Sequence, residues 1–112
     1  MIPFDPDKIA HELSKRGHAW ADADAAYRAL DDVTKTILAE CEIEARKDPE
    51  NTTQAAIERA GRSSEVYRRH LMVLSEGRKA ANRARVNYET YQVWIELKRS
   101  ENATRRAEMG LR

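Results

Sequence analysis

Apolar residues recur every three or four positions through two long stretches of the chain, and polar or charged residues fill the positions between them. This spacing places the apolar side chains on one face of a helix, which has about 3.6 residues per turn. The stretches 18–48 and 78–109 contain no glycine or proline, the residues that most often end helices. The pattern therefore predicts an all-α protein built on two long helices.

Local signals predict where the helices of the first half begin and end. Asp5 before Pro6 is a typical helix start, because the carboxylate accepts free backbone N–H groups and proline loses no bond there. Gly17 is expected to end the first helix. Asp48 before Pro49 is expected to stop the second, because the residue before proline is pushed out of helical geometry.

Two further helices are expected in the second half of the chain. Asn51 and Gln54 are spaced as in a capping box, and Gly61 is expected to close the short helix that follows. Ser63 or Ser64 can then cap a last, long helix. The predicted helices, within one domain spanning 1–112, are 6–16, 18–47, 52–60 and 64–108.

Charge divides along the chain in a way that suggests how the long helices pair. The first 58 residues hold 7 Lys and Arg against 13 Asp and Glu, whereas the last 54 hold 13 against 6. This division of charge favours an acidic helix packed against a basic one in an antiparallel hairpin, with the two short helices at its flanks. A turn centred near residue 55 would place Leu30 beside Ala80 and Ala81, and Trp20 beside Tyr91.

A hairpin of two helices buries only a narrow apolar strip, so a partner would help its stability. Several apolar residues cannot all face the other arm, because they spread around the helix. We therefore expect a homodimer that forms a helical bundle. The candidate residues for self-association are Val86, Val93 and Leu97.

The sequence offers little for catalysis or metal binding. A zinc site needs about four closely placed nitrogen or sulfur ligands, whereas Cys41 and His70 belong to different segments and Gly17 separates His11 from His18. There is no glycine-rich phosphate loop and no nucleophile elbow. We expect a protein that is not an enzyme and that carries no metal or cofactor.

Two segments are candidates for contact with nucleic acid. Residues 52–71 resemble a helix-turn-helix, but Arg62 stands where that motif has an apolar residue, which favours a simple helix cap at Gly61. The C-terminal helix interleaves basic residues with Tyr88, Tyr91 and Trp94, as in proteins that stack single-stranded bases; the two tyrosines, however, lie on its apolar stripe. The candidate nucleic-acid-binding residues are Arg78, Lys79, Arg83, Arg85, Lys98, Arg99, Arg105 and Arg106.

The N-terminus carries acids where a secretory signal needs a basic start and an apolar centre. No run of about 18 apolar residues exists that could span a membrane. These features predict a cytoplasmic protein.

Residues 81–112 carry a family resemblance through the run ANRAR at 81–85, the aromatic spacing from Tyr88 to Trp94, and the run RRAEM at 105–109. This segment resembles the C-terminal half of small helical proteins encoded by bacteriophages and prophages, often near genes of DNA replication and recombination. The resemblance implies an accessory factor that works in the bacterial cytoplasm beside DNA-processing machinery. It supplies no catalytic or binding residue.

The favoured interpretation is a non-enzymatic accessory protein that binds a protein of DNA metabolism, such as a recombination, annealing or replication factor. The first alternative is single-stranded nucleic-acid binding by the basic C-terminal helix. The second is a phage inhibitor that occupies the nucleic-acid site of a host defence or repair nuclease with its acidic N-terminal surface.

Overall fold

A computed structural model describes residues 5–110. Residues 1–4, at the start of the acidic N-terminal segment, and residues 111–112, at the end of the segment 81–112, lie outside this range. The described residues form four helices and no strand, which confirms the all-α prediction. The helices are α1 (Pro6–Asp32), α2 (Thr34–Ala45), α3 (Gln54–Ser63) and α4 (Glu65–Gly110).

The helices contribute to two compact units. The terminal unit comprises the described residues up to 22 together with those from 81 onward, and the central unit comprises 23–80. Helices α1 and α4 are each divided between the two units, whereas α2 and α3 belong wholly to the central unit. The expectation of a single domain over 1–112 stays a prediction.

The start of α1 is as predicted, but its predicted end is wrong. The Asp5 carboxylate accepts hydrogen bonds from the backbone N–H groups of Asp7 (3.0 Å) and Lys8 (3.4 Å), which caps the first turn. The helix then continues through Gly17 instead of ending there. A Cβ at Gly17 would lie 3.4 Å from the ring of Tyr88, so the glycine serves helix packing and not termination.

The predicted helix 18–47 is divided at Val33, which stands between α1 and α2. There the Thr34 hydroxyl donates to the Leu30 carbonyl oxygen (3.2 Å), a bond that competes with the helical backbone pattern and bends helices. The same hydroxyl oxygen lies 2.8 Å from Nε2 of the buried His70. The interruption therefore coincides with a polar contact to α4 that helical periodicity does not indicate.

The cap of α3 differs from the predicted capping box. Thr53, not Asn51, is the capping residue, and its side chain accepts from the backbone N–H of Ala56 (3.1 Å). The Asn51 amide instead donates to the Ala45 carbonyl oxygen (2.9 Å) at the end of α2. Asn51 thus closes the preceding helix, because a carbonyl group left free at a helix end needs a donor.

Both the cap and the helix-turn-helix interpretations assumed that a helix ends at Gly61. This is wrong, because α3 continues to Ser63. Gly61 is buried inside the helix. The helix ends instead before Ser64, whose ψ of 138° is not helical. A Cβ at Gly61 would lie 2.7 Å from Cγ of Glu42 and 3.4 Å from its backbone nitrogen. Gly61 therefore permits the close packing of α3 on α2.

Within the central unit, Gly77 of α4 meets α1 where a bulky residue would not fit. Its absent Cβ would lie 3.2 Å from Cδ1 of Leu30 and 3.8 Å from Cα of Tyr27. The sequence register placed Leu30 beside Ala80 and Ala81, about one turn further along α4. That register is wrong here, because Leu30 fills the space that Gly77 leaves open.

The terminal unit shows the same offset. Trp20 packs against Tyr88, with ring centroids 5.5 Å apart, and not against Tyr91 as the sequence register proposed. Ile9 and Leu13 line one groove with Ile95. Lower-numbered residues of α1 thus meet higher-numbered residues of α4 within this unit.

The buried interior is small. The buried apolar residues among those described are Cys41, Leu74, Ala81 and Ile95, and no large side chain is completely enclosed. Small residues, such as the three glycines inside helices, therefore contribute to the packing by allowing close contacts.

Replacing Gly61 by Ala should lower the free energy of unfolding by up to about 2 kcal/mol. The gain of about 1 kcal/mol in helix propensity is outweighed by overpacking against Glu42, which typically costs about 1–3 kcal/mol. Gly17→Ala is the matched control, since its new Cβ meets only an ordinary contact with Tyr88 and should be neutral or stabilising. Urea unfolding followed by circular dichroism measures both, and a stabilising Gly61→Ala would contradict the packing role.

Candidate interaction surface

Arg16 links the two helical segments of the terminal unit. Its Nη1 donates to the Asn87 carbonyl oxygen (3.1 Å), and its Nε donates to Glu12 (2.8 Å). The guanidinium also lies over the ring of Tyr91, 4.5 Å from the centroid, in a cation–π contact. The hydrogen bond from Arg16 lowers the pKa of Glu12 below its usual value.

The aromatic residues of α4 serve packing more than they offer free ring faces. Tyr88 is partly buried against Trp20, and Tyr91 contacts both Arg16 and Trp94. The rings of Tyr91 and Trp94 are stacked, with centroids 5.4 Å apart and planes inclined by 16°. Only Trp94, which is 37% exposed, combines this stacking with an open position.

Two of the predicted nucleic-acid-binding residues lie in the central unit and have partners there. The guanidinium of Arg78 donates to the Tyr27 hydroxyl (3.1 and 3.2 Å) and lies 5.6 Å from the centre of that ring. Lys79 forms an ion pair with Glu76 (3.4 Å). Both cations are therefore used in contacts within the chain.

Several predicted cations of the terminal unit also contact residues one turn away. Arg85 pairs with Glu89 (3.8 Å) and Lys98 with Glu101 (3.2 Å). Arg106 donates from Nε to the carbonyl oxygen of Asn102 (3.4 Å). Such exposed pairs support the helix by about 0.2–0.5 kcal/mol each and weaken the field that a phosphate would meet.

The predicted basic residues of α4 do not share a face. Consecutive helical residues point about 100° apart, so Lys98 and Arg99, like Arg105 and Arg106, diverge around the axis. Arg83 and Arg85 differ by about 200° and lie on nearly opposite sides. Arg85, Arg99 and Arg106 are separated by multiples of seven residues and share one side of α4. Arg83, Lys98 and Arg105 lie within about 60° of one another on a different side. The cations therefore form two groups and not one continuous basic strip.

The three residues predicted for self-association do share a face of α4. Val86, Val93 and Leu97 are separated by seven and four residues, and they are 50%, 55% and 59% exposed. This face is directed away from the buried Ile95 and Ala81. We call these three residues the outer stripe; their self-association stays a prediction.

A second exposed apolar group lies on α4 in the central unit, and the sequence analysis did not single it out. Val66, Met72 and Val73 are 62%, 70% and 51% exposed. Val66 and Val73 are seven residues apart and so share one side of the helix. This seven-residue spacing was visible in the sequence.

The described residues contain no group of three or more His, Cys, Asp or Glu side chains that could hold a metal ion. Cys41 is a buried free thiol, and the buried His70 is hydrogen-bonded to Thr34. Between residues 5 and 110, no helix is both long and apolar enough to cross a membrane. The exposed apolar groups of α4 are accordingly the candidate interaction surface.

No protein-family model, curated protein or solved structure matches this chain.

Replacing Arg16 by Ala should destabilise the protein by about 1–2 kcal/mol, because it removes a cation–π contact and a hydrogen bond between the two segments. Lys15→Ala, an exposed neighbour, is the control and should change stability by less than about 0.5 kcal/mol. Urea unfolding near neutral pH measures the difference.

The effect of Arg16→Ala should also depend on pH. A carboxyl group whose pKa is lowered by folding contributes stability above its unfolded pKa, and this contribution disappears as the pH falls through the folded value. The difference between the wild type and Arg16→Ala should therefore narrow below about pH 4. An unchanged difference on acidification would show that the Glu12 contact contributes nothing to stability.

Proposed function

We propose that this chain is a non-enzymatic accessory protein, of the kind encoded by phages and prophages, that binds a protein of DNA metabolism in the bacterial cytoplasm. The proposed scaffold is an antiparallel hairpin of long helices that dimerises into a helical bundle. The assignment to DNA recombination, annealing or replication rests on the resemblance of residues 81–112 to phage-encoded helical proteins.

One observation supports binding to a protein over direct binding to nucleic acid. Large apolar side chains are open on α4 in both units, and exposed apolar groups of this kind typically mark protein interfaces. If the outer stripe serves self-association, Val66 and Val73 in the central unit remain for a different partner. We assign the partner to this second group.

The single-stranded nucleic-acid alternative has one favourable observation, the exposed and stacked ring of Trp94. A stacked base gains about 1–3 kcal/mol on such a ring. Against this, the cations of α4 are divided between two sides of the helix, and several already pair with acids one turn away. Phosphate contacts would have to compete with these pairs.

The partner-binding proposal is tested by capture from a phage-bearing bacterial lysate with the tagged full chain. Val66→Lys with Val73→Lys should reduce retention of the partner by more than tenfold, since a charge placed in an apolar interface is strongly unfavourable. Ser75→Lys with Asn82→Lys is the matched control, with the same added charges, the same spacing and exposed positions on the same helix.

Mass spectrometry of the retained material identifies the partner. A recombination, annealing, replication or repair protein that the control retains and the Val66 and Val73 double variant loses is the expected result. Equal retention by both variants, or a partner unrelated to DNA, would contradict the proposal. The inhibitor alternative is separated by adding the purified chain to that partner: an accessory factor raises its activity and an inhibitor lowers it.

Nucleic-acid binding is tested by fluorescence anisotropy of a labelled DNA single strand at about 150 mM salt. We expect weak binding, in the range of nonspecific phosphate contacts. The control changes Arg83, Arg85, Lys98 and Arg99 together to Gln. Tight binding by the wild type that is lost in this variant would overturn the preferred function and establish the nucleic-acid alternative.

A further inference from the structure

The outer stripe consists of residues that are each exposed over half or more of their surface. Its three apolar side chains lie on the face of α4 opposite the buried Ile95, and Thr90 completes the same face between Val86 and Val93. We propose that a second copy of this chain covers the stripe and that the two α4 helices pack antiparallel about a dyad between residues 91 and 92. This inference deepens the dimer in the proposed function and adds its orientation and register.

The apolar residues themselves define the centre of this interface. The midpoint between Val86 and Leu97 lies between residues 91 and 92. In an isologous pair, residue i contacts residue j and j contacts i. Pairing about that midpoint places Val86 beside Leu97 of the second copy, so that these two apolar side chains cover one another. It places Val93 beside Thr90 of the second copy, whose methyl group it can contact.

Charge on the border of the stripe gives the same centre independently. Arg83 and Glu101 are 18 residues apart, which is about five helical turns, so they lie on the same side of α4. Their midpoint is residue 92. An antiparallel pair therefore brings Arg83 opposite Glu101 of the second copy, twice by symmetry, and Glu101 keeps its contact with Lys98 on the same helix.

The opposite orientation is less favourable. In a parallel, in-register pair, a residue on one border faces the residue five positions later on the other helix, so Glu96 would meet Glu101 of the second copy. The antiparallel pair does place Glu89 near Glu96 of the second copy, but Arg85 lies 3.8 Å from Glu89 and offsets its charge. Antiparallel packing also sets the helix dipoles in opposition.

A second copy fits this surface better than an unrelated protein because two independent features are symmetric about one point. The apolar contacts and the Arg83–Glu101 pair both require the dyad near residues 91 and 92. A surface that evolved only for a different protein needs no such symmetry, since nothing relates its two ends.

Sedimentation equilibrium of the full chain tests the proposed contact. Arg83→Glu should weaken the dimer by about tenfold, because two attractive pairs become repulsive. Glu101→Arg alone should weaken it similarly, and the two changes together should restore it. Arg46→Glu is the control, with the same charge change at an exposed residue of the central unit, and it should leave the dimer unchanged.

A distance measurement tests the orientation. Nitroxide labels on Ser100→Cys, in a Cys41→Ala background checked by circular dichroism, should lie about 27 Å apart across the antiparallel dimer, at about 1.5 Å per residue along each helix. A parallel pair would bring them to about 10 Å, the spacing of packed helices.

A label distance near 10 Å, a double charge reversal that fails to restore association, or a monomer of 12.9 kDa at all micromolar concentrations would each overturn the inference. The proposed function is tested separately. A chain that is monomeric but still retains its DNA-metabolism partner would contradict the dimer and support the proposed function.

Discussion

Close approach between helices is the constraint on which this structure depends, because no large side chain among the described residues is completely buried. Gly77 admits the side chain of Leu30, Gly17 lies against the ring of Tyr88, and Gly61 allows α3 to approach the backbone of α2. Each glycine inside a helix costs about 1 kcal/mol relative to alanine. Dispersion contacts at short range offset this cost, since each atom pair contributes little and only dense packing collects enough of them.

The same constraint explains which parts of the fold the sequence predicts. The all-helical class and the cap at Asp5 follow from local features, namely apolar periodicity and a carboxylate one residue before the first turn. Gly17 and Gly61 carry the local signature of a helix end, yet both lie inside helices. Their role is decided by Tyr88 and Glu42, which are distant in sequence. Helix propensity cannot distinguish a glycine that ends a helix from one that admits a neighbour.

The sequence did not predict that the helix is divided at Val33, for a related reason. Thr34 fits the helical pattern, but its hydroxyl contacts both the Leu30 carbonyl and His70, 36 residues away. A buried histidine needs a hydrogen-bond partner, because leaving its ring nitrogen unsatisfied costs about 1–3 kcal/mol. The polar pair thus bridges α4 and the junction of α1 with α2, a role that no local sequence signal indicates.

The surface of α4 separates two uses of its side chains. Its acids and cations repeatedly stand three or four residues apart and pair along the helix, as Glu76 with Lys79 and Lys98 with Glu101 do. These exposed pairs add only about 0.2–0.5 kcal/mol each, but they leave fewer cations without a neighbouring acid. In the sequence, the number of cations in α4 suggested a nucleic-acid-binding surface. These cations divide between two sides of α4, whereas the three exposed apolar residues of the outer stripe share a single face.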